Sequence, residues 1–105
     1  MKATKWKMLE GWFTPQLMNR YGKGWDVDRH PVGTYRVSMS DRVDVLGIAR
    51  VWLSRTNQNY QCMFRDIDPA DGSFALETYK IGRGVSLAWP PKGSRVNFEV
   101  MYMPK

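Results

Sequence analysis

Arg95-Val96-Asn97-Phe98-Glu99-Val100-Met101-Tyr102 alternates without a break. Val96, Phe98, Val100 and Tyr102 fall on one side of an extended chain, and Arg95, Asn97, Glu99 and Met101 on the other. A two-residue period of this kind marks a strand with one face in a core and the other in water. Pro90-Pro91 and Lys92-Gly93 precede it, so the strand enters from a turn.

Reading back from this strand, the chain from Thr34 onward is a series of similar short runs. Tyr35, Val37 and Met39 oppose Arg36 and Ser38, and Ser40-Asp41 supplies a turn. In residues 44–54, Val45, Gly47, Ala49, Val51 and Leu53 form an apolar side, with Leu46, Ile48, Arg50 and Trp52 opposite. Gly47 within that run predicts a bulge or a close backbone approach. Arg55–Gln58 reads as a hairpin loop, after which Tyr60, Cys62 and Phe64 alternate with Gln61, Met63 and Arg65. Asp68-Pro69-Ala70-Asp71-Gly72 is a turn, because Pro presets φ and Gly accepts φ > 0. Phe74–Ile81, a Gly82-Arg83-Gly84 turn and a short Val85–Trp89 run complete the series.

The first third reads differently. In Ala3–Leu9, Trp6 and Met8 alternate with Lys5 and Lys7, a half-buried strand pattern. Thr14-Pro15 resembles an N-cap followed by Pro at the first helical position, with Gly22 as a stop; this predicts a short helix over 15–21. Residues 22–33, with three glycines and Pro31, predict a loop anchored by Trp25 and Val27.

The expectation is a single, mainly β domain over residues 1–105. Six to seven short strands would close into a small antiparallel barrel, SH3-like or OB-like, with one N-terminal helix. A small two-sheet sandwich is the alternative.

The composition narrows the function. The 105 residues include five Trp, five Tyr and four Phe, and the formal charge is +6. A basic balance favours polyanionic partners, although it also serves solubility. A lone cysteine, Cys62, forms no internal disulfide and points to a reducing cytoplasm. Met1–Leu9 has three lysines and no long apolar segment, so no signal peptide is expected. No run is long enough to cross a membrane as a helix, and no membrane partner is expected.

Catalytic motifs find no support. His30 is the only histidine, and Cys62 falls on the predicted core side, where an inert thiol is expected. One Cys and one His make no closed zinc site without several carboxylates. Asp66, Asp68 and Asp71 lack the spacing of a calcium loop and read as turn chemistry. Gly82-Arg83-Gly84 lacks the remainder of a phosphate loop. No cofactor is implied.

The polar side of the sheet offers more. Under the alternation, Arg36, Arg50, Trp52, Arg65 and Arg95 point away from the core, with Lys5 and Lys7 joining them if the first run enters the sheet. Trp89, and Trp12 or Trp25 from loops, would extend this surface. Guanidinium groups for phosphates and indoles for bases suit single-stranded nucleic acid. The plain alternative is that arginine stems merely cover apolar neighbours. A second functional expectation is an accessory or inhibitor protein, of the kind viruses encode, docking on an acidic patch of a nucleic-acid enzyme.

Overall fold

The computed structural model describes residues 5–105. The alternating runs form strands β1 (Lys7–Phe13), β2 (Arg20–Tyr21), β3 (Trp25–Arg29), β4 (Thr34–Met39), β5 (Val43–Ser54), β6 (Tyr60–Asp68), β7 (Ser73–Ile81), β8 (Val85–Leu87) and β9 (Arg95–Pro104). They build two antiparallel sheets. The front sheet has the order β2-β1-β9-β5; the back sheet has β3-β4-β7-β6, with β8 beside β7.

β9, the clearest strand in the sequence, is central to the front sheet. It pairs with β1 from Lys7 opposite Tyr102 to Phe13 opposite Val96, and with β5 from Ala49 opposite Val100 to Ser54 opposite Arg95. Directly opposed residues share a face. Leu9, Gly11 and Phe13 therefore turn inward with Val96, Phe98 and Val100, as do Ala49, Val51 and Leu53. The ladder shifts between Leu46 and Ala49, around Gly47. The shift reverses the expected parity of the early part of β5. Leu46 opposes buried Tyr102, whereas Val45, expected in the core, opposes Met103 and is exposed. Gly47 also meets the other half of its prediction: a Cβ there would lie 2.8 Å from the Trp6 ring, so only glycine lets the indole approach.

The predicted helix over 15–21 does not form. Phe13 pairs with Arg20 and Trp12 with Tyr21, which leaves only residues 14–19 to reverse the chain. Thr14 does cap, but it caps a turn. Its Oγ1 accepts from the Asn19 N–H at 3.1 Å, and its carbonyl accepts from the Leu17 N–H at 2.8 Å. Leu17 then takes φ 62°, outside any right-handed helix. The predicted loop over 22–33 contains a strand, β3, with Trp25 and Val27 facing inward and Asp26 and Asp28 outward. No hydrogen-bonded ladder joins β5 to β6 or β2 to β3, so the two sheets face each other without closing into the expected barrel. Residues Ala3 and Thr4 of the first predicted run lie outside the described residues.

The core between the sheets is aromatic. The Phe98 ring centroid lies 4.8 Å from that of Trp25 and 5.7 Å from that of Phe74, both on the back sheet. Phe13 meets Tyr35 edge-on at 4.8 Å. Offset and edge-to-face contacts of this type add to the area each ring buries. The Tyr35 hydroxyl donates to the Pro15 carbonyl at 2.9 Å, tying the β1–β2 turn to the back sheet. Burial pushes the Tyr35 phenol well above its ordinary value, and the nearby Arg29 charge opposes this only in part. At the other end, the Tyr102 hydroxyl donates to Asp41 Oδ2 at 2.8 Å, and the Lys7 ammonium lies 3.4 Å from the same oxygen.

Replacing Phe98 with Ala should lower the unfolding free energy by about 3–5 kcal/mol, read from denaturant melts. Truncating this ring removes contacts from both sheets at once. Hydrogen bonding from Tyr102, then from Lys7, holds the Asp41 carboxyl below its ordinary value. A depressed carboxylate stabilises the fold above its unfolded pKa and ceases to do so as pH falls through its folded pKa. Asp41→Asn, which can still accept from Tyr102, should therefore show a shallower loss of melting temperature between about pH 5 and pH 2 than the parent protein.

Candidate binding face

The outward side of the front sheet follows from the same registers. Tyr21 opposes Trp12, Trp12 opposes Asn97, and Asn97 opposes Trp52, so the four side chains form one row across four strands. Trp12 and Tyr21 stack with centroids 6.3 Å apart and planes 14° from parallel. Strand spacing sets Trp12 and Trp52 about 10 Å apart, on either side of Asn97.

Two arginines lie on the indoles. The Arg95 guanidinium carbon is 3.8 Å from the centroid of Trp12, and that of Arg50 is 4.5 Å from the centroid of Trp52. Stacking uses the guanidinium face and leaves N–H groups at its edge to meet oxygen acceptors. Arg50 also approaches Glu99 at 3.6 Å. Asn97 Nδ2 donates to the Trp52 carbonyl at 3.2 Å and to Ser54 Oγ at 3.0 Å, which fixes the amide at the centre of the row.

A depression of about 190 Å³ sits over Asn97, lined by Glu10, Trp12, Tyr21, Trp52, Asn97 and Glu99. It is too small to enclose a metabolite but suits a flat ring laid against the sheet. A second hollow of about 470 Å³ shares Glu10 and Tyr21 with it and adds Met8, Arg20, Gly22 and Lys23 at the sheet edge. Arg20 is held there by Asp26, 3.0 Å from its Nη1, and lies over the Trp25 ring at 4.1 Å.

Of the eight residues expected to form a basic surface, three lie here: Arg50, Trp52 and Arg95. Arg36 and Arg65 are on the outward side of the back sheet, across the molecule. Both oppose Ala75, one from each neighbouring strand, and Ala75 is only 4% exposed there. Arg36 donates to Ser73 Oγ at 2.7 Å, and Arg65 Nε lies 2.6 Å from Glu77 Oε1. These two arginines cover their own sheet. Lys7 shares the inward parity of Leu9 and reaches Asp41 at the core's end, while Lys5 is exposed ahead of β1. Trp89 packs edge-on against Tyr35 at 5.1 Å, with the Arg29 guanidinium 3.9 Å above it.

Trp12 does extend the surface, from a strand and not from a loop; Trp25 does not, being 2% exposed. Tyr21 was not anticipated, because its position depends on the β1–β2 register. Asn97, Glu99 and Glu10 were legible as outward residues by alternation, but nothing local marked them as neighbours of Trp12 and Trp52.

The remaining chemical candidates resolve into structure. Cys62 opposes Thr78 on the inward side of the back sheet, and burial pushes its thiol up to about 12. Asp68 Oδ1 accepts from the Asp71 N–H at 3.1 Å, and Asp71 accepts from Ser73 Oγ at 2.8 Å, so these carboxylates shape the β6–β7 turn. Among the described residues, no group of three or more His, Cys, Asp or Glu side chains could hold a metal ion, and no helix is long and apolar enough to cross a membrane. No family model, curated protein or solved structure matches this chain.

A thiol with so high a pKa has almost no thiolate at pH 8. Iodoacetamide should therefore alkylate Cys62 far more slowly in the folded protein than in denaturant, followed by mass spectrometry. Equal rates would place the thiol in solvent.

Proposed function

We propose that this protein is a non-catalytic binding module that takes single-stranded nucleic acid on the outward side of its front sheet. The observation that carries the reading is the Tyr21–Trp12–Asn97–Trp52 row with arginines stacked on both of its indoles. Aromatic rings stack on bases at about 1–3 kcal/mol each, with little dependence on sequence; Tyr21 is exposed, and the half-buried Trp12 and Trp52 offer a base the ring area that Arg95 and Arg50 leave uncovered. The N–H edge of Arg95 and the terminal nitrogens of Arg50, whose Nε faces Glu99, suit phosphate oxygens. Lys23 adds positive charge along the neighbouring hollow, where the charge of Arg20 is met by Asp26. Glu10 and Glu99 oppose each other across the sheet. They repel phosphate, so the sugar–phosphate chain is expected to run along the arginines while base amino groups meet the carboxylates. A duplex hides its base faces and should gain only the charge contribution.

The test is a titration with single-stranded and duplex oligonucleotides, followed by tryptophan fluorescence at two salt concentrations. Single strands should bind more tightly and quench Trp12 and Trp52, and affinity should fall steeply with salt. Trp52→Ala should weaken binding by about 1–3 kcal/mol. Arg36→Ala, on the far sheet, should weaken it less than Arg95→Ala does. An absence of binding at low salt would remove the proposal.

A further inference from the structure

We propose that the free edge of β8 receives an extended polypeptide segment rich in acidic and apolar residues, paired to it as an added strand. This site lies on the back sheet and stands independently of the nucleic-acid reading.

The backbone supplies the first argument. Lys80 opposes Ser86 in the β7–β8 ladder, Gly82 N–H bonds the Gly84 carbonyl at 2.9 Å and Ala88 N–H bonds the Thr78 carbonyl at 3.0 Å. Hydrogen-bonded positions alternate along an antiparallel pair. Ser86 thus faces β7, while Val85 and Leu87 direct their N–H and C=O groups away from it. Among the described residues, β8 pairs with no other strand.

Brevity is the one guard this edge has. Sheet edges are normally blunted by charge, bulges or brevity. β3 carries Asp26, Asp28 and Arg29; β5 and β6 both have register shifts; β2 is two residues long. β8 is short too, but it has no charge, proline or bulge. Its Val85 and Leu87 are 67% and 40% exposed, and Ile81, opposite Val85, is 40% exposed.

Charge selects the occupant. Lys80 and Arg83 flank this apolar strip, and no Asp or Glu occurs from Thr78 to Trp89. The hairpin tip stands clear, with nothing within 4 Å of a Cβ built at Gly82 or Gly84. An acidic strand gains ion pairs and backbone bonds together, as in strand addition to other sheet edges. A second copy of this chain carries the same formal charge of +6 and is repelled by the first. A lipid surface would leave the Val85 and Leu87 amides without partners in hydrocarbon.

The experiment uses the full isotope-labelled chain and a synthetic octapeptide alternating Glu and Val. Addition should shift the amide signals of Val85 and Leu87 and slow their hydrogen exchange, with little change at Trp12 and Trp52. A peptide with Lys in place of Glu should not bind. Val85→Pro removes one outward N–H without touching the β7 ladder and should weaken the peptide about tenfold. Arg83→Glu, in open space at the hairpin apex, provides a second variant should the proline perturb the fold, and it should also weaken binding. Undiminished affinity in both variants would overturn the proposal. So would peptide shifts centred on the tryptophan face, or changes at Val85 that appear with phosphatidylserine vesicles or with rising protein concentration but not with peptide.

Discussion

Phe98 is the point at which the two sheets meet. Its ring touches Trp25 and Phe74 from the back sheet and Phe13 from its own. The strand that carries it is hydrogen-bonded on both sides, so the ring cannot move without shifting β1 and β5. Because successive side chains on a strand point to opposite faces, the inward position of Phe98 commits Asn97 and Glu99 to the outside. The packing of one ring thereby sets the floor of the candidate binding face.

The two outer surfaces of the molecule use arginine differently. On the back sheet, Arg36 and Arg65 converge on Ala75, and their polar ends are taken up by Ser73 and Glu77. A small residue at the centre of an outer face leaves room for two long stems, and the stems close over it. On the front sheet two indoles flank the central Asn97. Arg50 and Arg95 cannot lie flat against the backbone there and rest on indole faces. Residues of one type thus act as cover on one face and as display on the other, according to whether a ring lies in reach: Trp52 is two residues along β5 from Arg50, and Trp12 is diagonal to Arg95. The formal charge of +6 is silent on this division.

These surfaces are also separate. The aromatic row faces outward from the front sheet, whereas the free strand edge belongs to β8 of the back sheet. A nucleic-acid strand on the first and a polypeptide segment on the second would not compete for the same atoms. The two proposals thus assign the functional classes suggested by composition, nucleic-acid binding and protein docking, to different sheets.

Local alternation made much of this legible. Over residues 95–102 of β9 the alternation named the inward and outward side chains correctly, and the turn at Asp68–Gly72 followed from residue chemistry alone. Gly47 was recognised as a disturbance, but its consequence, the reversal that exposes Val45, depends on where β9 continues to pair. The missing helix has the same origin: Thr14-Pro15 is a valid cap, and the pairing of Phe13 with Arg20 leaves too little chain to use it. The candidate face was half visible. Arg50, Trp52 and Arg95 share a face because their strands are neighbours, and Arg36 and Arg65 share the opposite one for the same reason. The sequence by itself determined which side chains share a side of each unbroken strand run, because that follows from a period of two; at the register shift around Gly47 the parity depended on the pairing with β9. Only the tertiary structure decided which strands lie side by side, because pairing between distant segments depends on how the whole set of apolar faces can be buried together.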